Sequence, residues 1–153
     1  MTEIFASLYE FFGFLPFYSK DFADHLRGWA PDCSGYTGTV WYNIIAFTMT
    51  GVTALGYALM YHIIDSPKWN KKQHWWIVAL VIIALNGFIA FIIPFNAIRA
   101  GDYCKELLLT INDCVGFGFS NAIWSLILFI LLTSFKYPKL FSTNCRYTTL
   151  WNP

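Results

Sequence analysis

Charge is what this sequence has least of. Only 12% of its 153 residues are Asp, Glu, Lys or Arg, against roughly a quarter in a soluble domain. That is too little polar surface for a water-facing globule, and at this length no separate soluble catalytic domain is expected. Between Lys72 and Arg99 there is no charged residue at all. A basic leader is also missing: before Lys20 the charges are Glu3 and Glu10, so no classical signal peptide is expected and insertion falls to the spans themselves. With Thr at position 2 and Asn152-Pro153 at the end, no lipidation motif is expected. No Cys-x-x-Cys, helical His-x-x-x-His, nucleotide-binding loop or nucleophile elbow occurs. His62, Asp65 and His74 border one loop but lack a recognised metal spacing. No catalytic residue, metal set or cofactor is therefore assigned, and the chain is not expected to be an enzyme.

What is abundant is apolar: 57% of residues are hydrophobic and 20% aromatic. The stretch Trp75–Ile98, WWIVALVIIALNGFIAFIIPFNAI, exceeds the about 20 residues that a helix needs to cross a bilayer core. A second span runs from about Val40 to Ile64, with Trp41 and Tyr42 at one end and Tyr61 and His62 at the other. Within it Ala46, Thr50, Ala54 and Ala58 recur every four residues, a small-residue ridge that lets two backbones approach closely. The third runs over Gly116–Phe135. The expected fold is an all-α integral membrane protein with three transmembrane helices (about 40–64, 75–98 and 116–135). An N-terminal amphipathic helix is added to these.

For that helix Ile4, Leu8, Phe11, Phe12 and Leu15 follow helical spacing, Thr2 offers an N-cap, and Pro16 ends or kinks it. From Ile4 to Leu15 it extends only about 18 Å. An interfacial or partly inserted helix is the first expectation, and a distorted fourth membrane helix is the alternative. Ser19 caps a short amphipathic helix, KDFADHLR, closed by Gly28. Pro31, Gly35 and Gly38 mark the following segment as a loop. Leu107, Leu108, Leu109 and Ile111 predict another short amphipathic helix within 99–115. Three regions result: residues 1–38, a transmembrane domain over 39–135, and a basic tail over 136–153.

Basic residues resist translocation and so set orientation. The 65–74 hairpin loop and the tail carry Lys68, Lys71, Lys72, Lys136, Lys139 and Arg146 against one acid, Asp65. Both are expected to be cytoplasmic, in a plasma or bacterial inner membrane. Segments 19–38 and 99–115 then face outward, where Cys33, Cys104 and Cys114 can form disulfides, while Cys145 stays reduced. A bridge from Cys33 to Cys104 or Cys114 is the favoured expectation. Three free thiols, or a Cys104–Cys114 bridge across a broken helix, are the alternatives.

Asn43, Asn86 and Asn121 each place an amide in the apolar stretch of one span. With Thr50, Thr53, Ser120 and Ser125 they read either as interhelical hydrogen-bonding groups or as a polar stripe lining a path through a homo-oligomer. Without a charged residue in any span, ion-coupled transport is disfavoured. Gly87 and Pro94 offer a static kink or a gating hinge. Glu10 either faces water or, if its segment inserts, becomes a costly and functional acid. The six basic residues, beside Trp69, Trp75, Trp76, Tyr137 and Trp151, suit anionic lipid or a nucleotide or oligonucleotide ligand. The leading expectation is a homo-oligomeric channel or pore, an effector controlled by such a ligand. The runner-up is a noncatalytic subunit or scaffold that binds another membrane protein, and a membrane-embedded enzyme is third.

Overall fold

Long apolar runs bounded by capping residues become the long helices of the chain. A computed structural model describes residues 2–11, 17–135 and 142–151. Its helices are α1 (Thr2–Phe11), α2 (Lys20–Leu26), α3 (Trp41–Ala58), α4 (Lys72–Ala100) and α5 (Ile111–Ser134), with no strand among the described residues. A π-helical turn, Leu59–Ile64, prolongs α3, and a single 3₁₀ turn spans Pro67–Trp69. Three helices are long and apolar enough to cross a membrane: Trp41–Ile64, Lys72–Ala100 and Ile111–Ser134.

The helix ends have local causes. Ser19 Oγ accepts the Phe22 amide at 3.3 Å and starts α2. Gly28, at φ +97°, turns the chain away after it. Gly101, at φ +73°, ends α4 with paired bonds from its own amide to Ile98 O and from Asp102 N to Ala97 O. α4 thus runs two residues past Ile98 and includes Pro94.

Two expectations change here. The segment before α5 holds turns instead of the amphipathic helix expected around Leu107–Ile111, because Gly101 breaks the chain and Cys104 is tethered elsewhere. The third long helix starts at Ile111, five residues before the expected Gly116. There Thr110 and Asp113 cap reciprocally: Thr110 N and Oγ1 donate to Asp113 Oδ2, and Asp113 N donates to Thr110 Oγ1. The expected continuation of the N-terminal helix through Phe12 and Leu15, and its break at Pro16, lie outside the described residues.

The chain forms two compact units, and each long helix contributes to both. The first comprises Met1–Thr48 and Gly87–Asn121. Its centre is Phe117, fully buried, with the rings of Tyr9, Tyr18, Phe22 and Tyr42 all within 6 Å of it, centroid to centroid. In this unit α1 lies along α3: Phe5 meets Phe47 at 5.4 Å and Tyr9 meets Tyr42 at 5.6 Å. Four residues of one helix and five of the other cover comparable lengths, about 6 and 7.5 Å, so the two run antiparallel over this contact. Gly116 and Gly118 make close backbone approaches, since a Cβ on either would press on Phe17 O or Gly87 O. Gly87 is thus a packing surface for α5 in this unit.

The second unit comprises Met49–Asn86 and Ala122–Pro153. Its core is Tyr57, Met60, Tyr61, Trp75, Ala79, Ile82, Phe129 and Cys145, with Trp75 and Phe129 rings 5.3 Å apart. Gly56 leaves room for the Ile82 side chain.

Candidate functional site

The expected polar residues of the spans separate into distinct local bonds. In the second unit Asn86 and Thr53 are both buried, and Asn86 Nδ2 donates to Thr53 Oγ1 at 3.1 Å. Thr53 Oγ1 in turn donates to Met49 O at 2.7 Å. Ser125 is buried and donates to Ala122 O. In the first unit the buried Asn121 accepts a hydrogen bond from the Tyr9 hydroxyl. Asn43 is half-buried, and its carbonyl oxygen is enclosed without a hydrogen-bond partner among the described residues. Thr50 lies on the exposed part of α3. Pro94 is buried within α4.

Of the basic residues, Lys68, Lys71 and Lys72 are all exposed. Arg146 is half-buried, with its guanidinium 6.0 Å from the Tyr147 ring centre. Lys136 and Lys139 lie outside the described residues.

The acid beside those lysines has a larger structural role than its sequence context suggests. Asp65 follows the π-helical turn, and its carboxylate gathers the tail. Ser142 Oγ, Thr143 N, Thr143 Oγ1, Asn144 N and Cys145 N all donate to it, at 2.7–2.9 Å. Asn144 Nδ2 also donates to the Asp65 carbonyl. The amides of Thr143 and Cys145 foremost hold the Asp65 carboxyl well below the usual carboxylate range. Tyr61 donates to Thr148 O, and Thr148 Oγ1 donates to Asn70 O. Cys145 stays a free thiol in the core, its pKa pushed up first by burial and then by the Asp65 charge. With its carboxylate so occupied, Asp65 serves the tail.

In the first unit Cys33 is bridged to Cys104, the favoured expectation in its first form, while Cys114 is buried and free within α5. Glu106 joins this pair in the cluster of metal-type ligands that the described residues bring together. Both sulfurs are spent on the disulfide, so the cluster offers only one carboxylate.

The same unit holds a charged recess that sequence reasoning reached only through Glu10. Glu10 and Arg27 form a two-pronged ion pair, through Arg27 Nε and Nη2, with the side chains 30% and 42% exposed. Tyr42 Oη lies 3.5 Å from Glu10 Oε1 and 3.3 Å from Tyr18 Oη. Glu10, Arg27, Tyr36, Tyr42, Val40 and Ser7 line a cavity of about 470 Å³, within the range of small-molecule sites. The Tyr36 hydroxyl donates to Asp24 at 2.8 Å, and its ring meets Trp29 edge-on at 4.8 Å. Arg27 is the residue that sequence spacing missed, being 17 positions from its partner. The available signal was the need of an inserted acid for a counter-charge. No protein-family model, curated protein or solved structure matches this chain.

Proposed function

We propose that this chain is a noncatalytic multi-pass membrane subunit that works by assembling with other membrane helices. The observation that carries the reading is how side chains divide along the long helices. Asn86, Thr53, Asn121 and Ser125 are turned inward, whereas Ile44, Phe47, Leu55, Leu80, Leu85 and Phe88 are exposed. Water would favour the reverse arrangement; lipid favours this one. On the exposed part of α3 lie Gly51 and Ala54, and a Cβ added at Gly51 meets nothing within 4 Å. A second helix can approach closely there, where association in lipid depends on packing.

Orientation in a plasma or bacterial inner membrane, with the 65–74 loop and the tail cytoplasmic, is supported by the lysines of that loop. It is supported too by a disulfide between segments 19–38 and 99–115 and by a free Cys145 in the tail. A second reading, a homo-oligomeric pore controlled by a nucleotide or oligonucleotide, is favoured by the three exposed lysines and by Thr50 on the open part of α3.

Mass measurement in mild detergent, followed by ion or dye flux from liposomes with and without anionic ligands, tests both. A closed homo-oligomer with ligand-dependent flux supports the pore. An assembly without flux, weakened by Gly51→Leu or Ala54→Leu, supports the subunit. A monomer in lipid nanodiscs whose co-purifying partners ignore both substitutions overturns the assembly reading.

A further inference from the structure

The recess between Glu10 and Arg27 belongs to neither the spans' internal bonding nor the exposed part of α3. We infer that it is a binding site for a zwitterionic phospholipid headgroup, which combines a phosphate with an ammonium group. Three observations of the first unit converge on that chemistry. The recess contains one full charge of each sign, already paired and still partly open to solvent. A zwitterion can add to such a pair head to tail, phosphate to Arg27 and ammonium to Glu10, without separating it.

Both partners keep bonding capacity. The ion pair uses Arg27 Nε and Nη2, two of the guanidinium's five N–H donors, so the fork retains donors that can serve a phosphate. The Glu10 carboxylate has acceptor sites beyond the two guanidinium bonds. Aromatic surface is also present, because Tyr36 and Tyr42 line the same cavity. Ammonium groups are attracted to the faces of such rings. The Asp24 carboxylate, bonded to the Tyr36 hydroxyl, makes the local balance net negative and disfavours a purely anionic occupant.

Position identifies the source of the zwitterion. Val40 and Tyr42 stand at the start of α3, one of the three bilayer-length helices, and Ser7 and Glu10 come from α1 packed along it. A bilayer presents its headgroups at the ends of such helices, where Trp and Tyr are concentrated. The occupant we assign is therefore the headgroup of a lipid whose chains stay in the bilayer. Soluble phosphoethanolamine carries the same chemistry without the chains.

Native mass spectrometry of the full chain, purified in nonionic detergent, distinguishes these sources. The probes are phosphatidylethanolamine, phosphatidylglycerol and soluble phosphoethanolamine. Phosphatidylethanolamine should be retained at one molecule per chain, at least about tenfold more tightly than phosphatidylglycerol. Glu10→Gln and Arg27→Gln should each weaken retention by about tenfold or more.

Two milder variants guard against misfolding. Arg27→Lys keeps the charge opposite Glu10 but loses the fork, and should weaken binding severalfold. Tyr36→Ala removes an exposed ring and should also weaken it, with an unchanged helical circular dichroism spectrum. Equal retention of the two lipids, or wild-type retention by both Arg27→Lys and Tyr36→Ala, overturns the inference. Phosphoethanolamine that displaces the lipid at matching concentration overturns the lipid assignment and leaves a site for a soluble zwitterion.

Discussion

The two compact units hold their connecting segments by different chemistry. In the first, Cys33 and Cys104 are covalently joined across 71 residues of sequence, and Asp113 accepts the amide of Ser19 to bring α2 to the head of α5. In the second, one carboxylate, Asp65, does the equivalent work for the tail, and the cysteine at its centre remains a thiol. A covalent tie is insensitive to pH and sensitive to reductant. A carboxylate gathering N–H and O–H donors has the opposite sensitivities.

Loss of the disulfide should have the largest effect. Cys33→Ser or Cys104→Ser should destabilise the first unit by at most about 4 kcal/mol, the loop-closure value for such a separation. An inserted denatured state is already constrained, so the measured loss should fall below that ceiling. Hydrogen exchange should show faster amides in 28–38 and 101–110, with residues 143–145 unchanged.

Asp65→Ala is the converse experiment. It removes the acceptor of five donors, three of them exposed to solvent, so a loss of about 2 kcal/mol is expected. Amides 143–145 should lose protection while the Cys33 loop keeps it. The pH dependence has a definite sign. The folded carboxyl lies below its unfolded value, so its contribution is complete above the unfolded pKa of about 4 and is lost as pH falls toward the folded value. Protection of the tail amides should therefore persist at mildly acidic pH and collapse only in stronger acid. Loss of protection between pH 7 and 5 would show that Asp65 is not the clasp.

The two units also differ in what their glycines face. A Cβ at Gly118 would sit 2.8 Å from the Gly87 carbonyl oxygen, which belongs to a helix backbone and cannot yield easily. At Gly56 the obstacles are Cδ1 and Cγ1 of the Ile82 side chain, which a change of rotamer can move, unlike a helix backbone. Gly118→Ala should therefore cost about 1–3 kcal/mol and more than Gly56→Ala, measured as thermal midpoints in one detergent. Equal costs would remove the distinction.

The smallest expected effect lies in the spans. Asn86→Leu removes the bond to Thr53 and should cost about 0.6–1.7 kcal/mol, the range for such bonds in membrane proteins. Under the subunit reading it leaves liposome flux unchanged. A change in flux at unchanged stability would favour the pore.

Much of this architecture is legible in the residues because hydropathy is local and accumulates along the chain. The lengths of α3 and α4, the Ser19 cap and the Gly28 stop follow from neighbours within a few positions. The early start of α5 is legible too, in Thr110 and Asp113 at capping-box spacing, but the run Leu107–Ile111 just before it suggests a separate short amphipathic helix instead. Glu10 stood out as an acid in an apolar helix, yet neither Arg27 nor Tyr42 could be paired with it from spacing.

By itself, then, the sequence determined an all-helical chain with three bilayer-length helices, because the length and polarity of a run are enough to decide that. Tertiary structure alone decided that Cys33 pairs with Cys104 while Cys114 stays free, and that Asp65 holds a tail some 80 residues away. It also decided that α1 lies along α3 with its acid paired to Arg27. Each of these depends on a distance through space between groups far apart in the chain, and no local pattern encodes that distance.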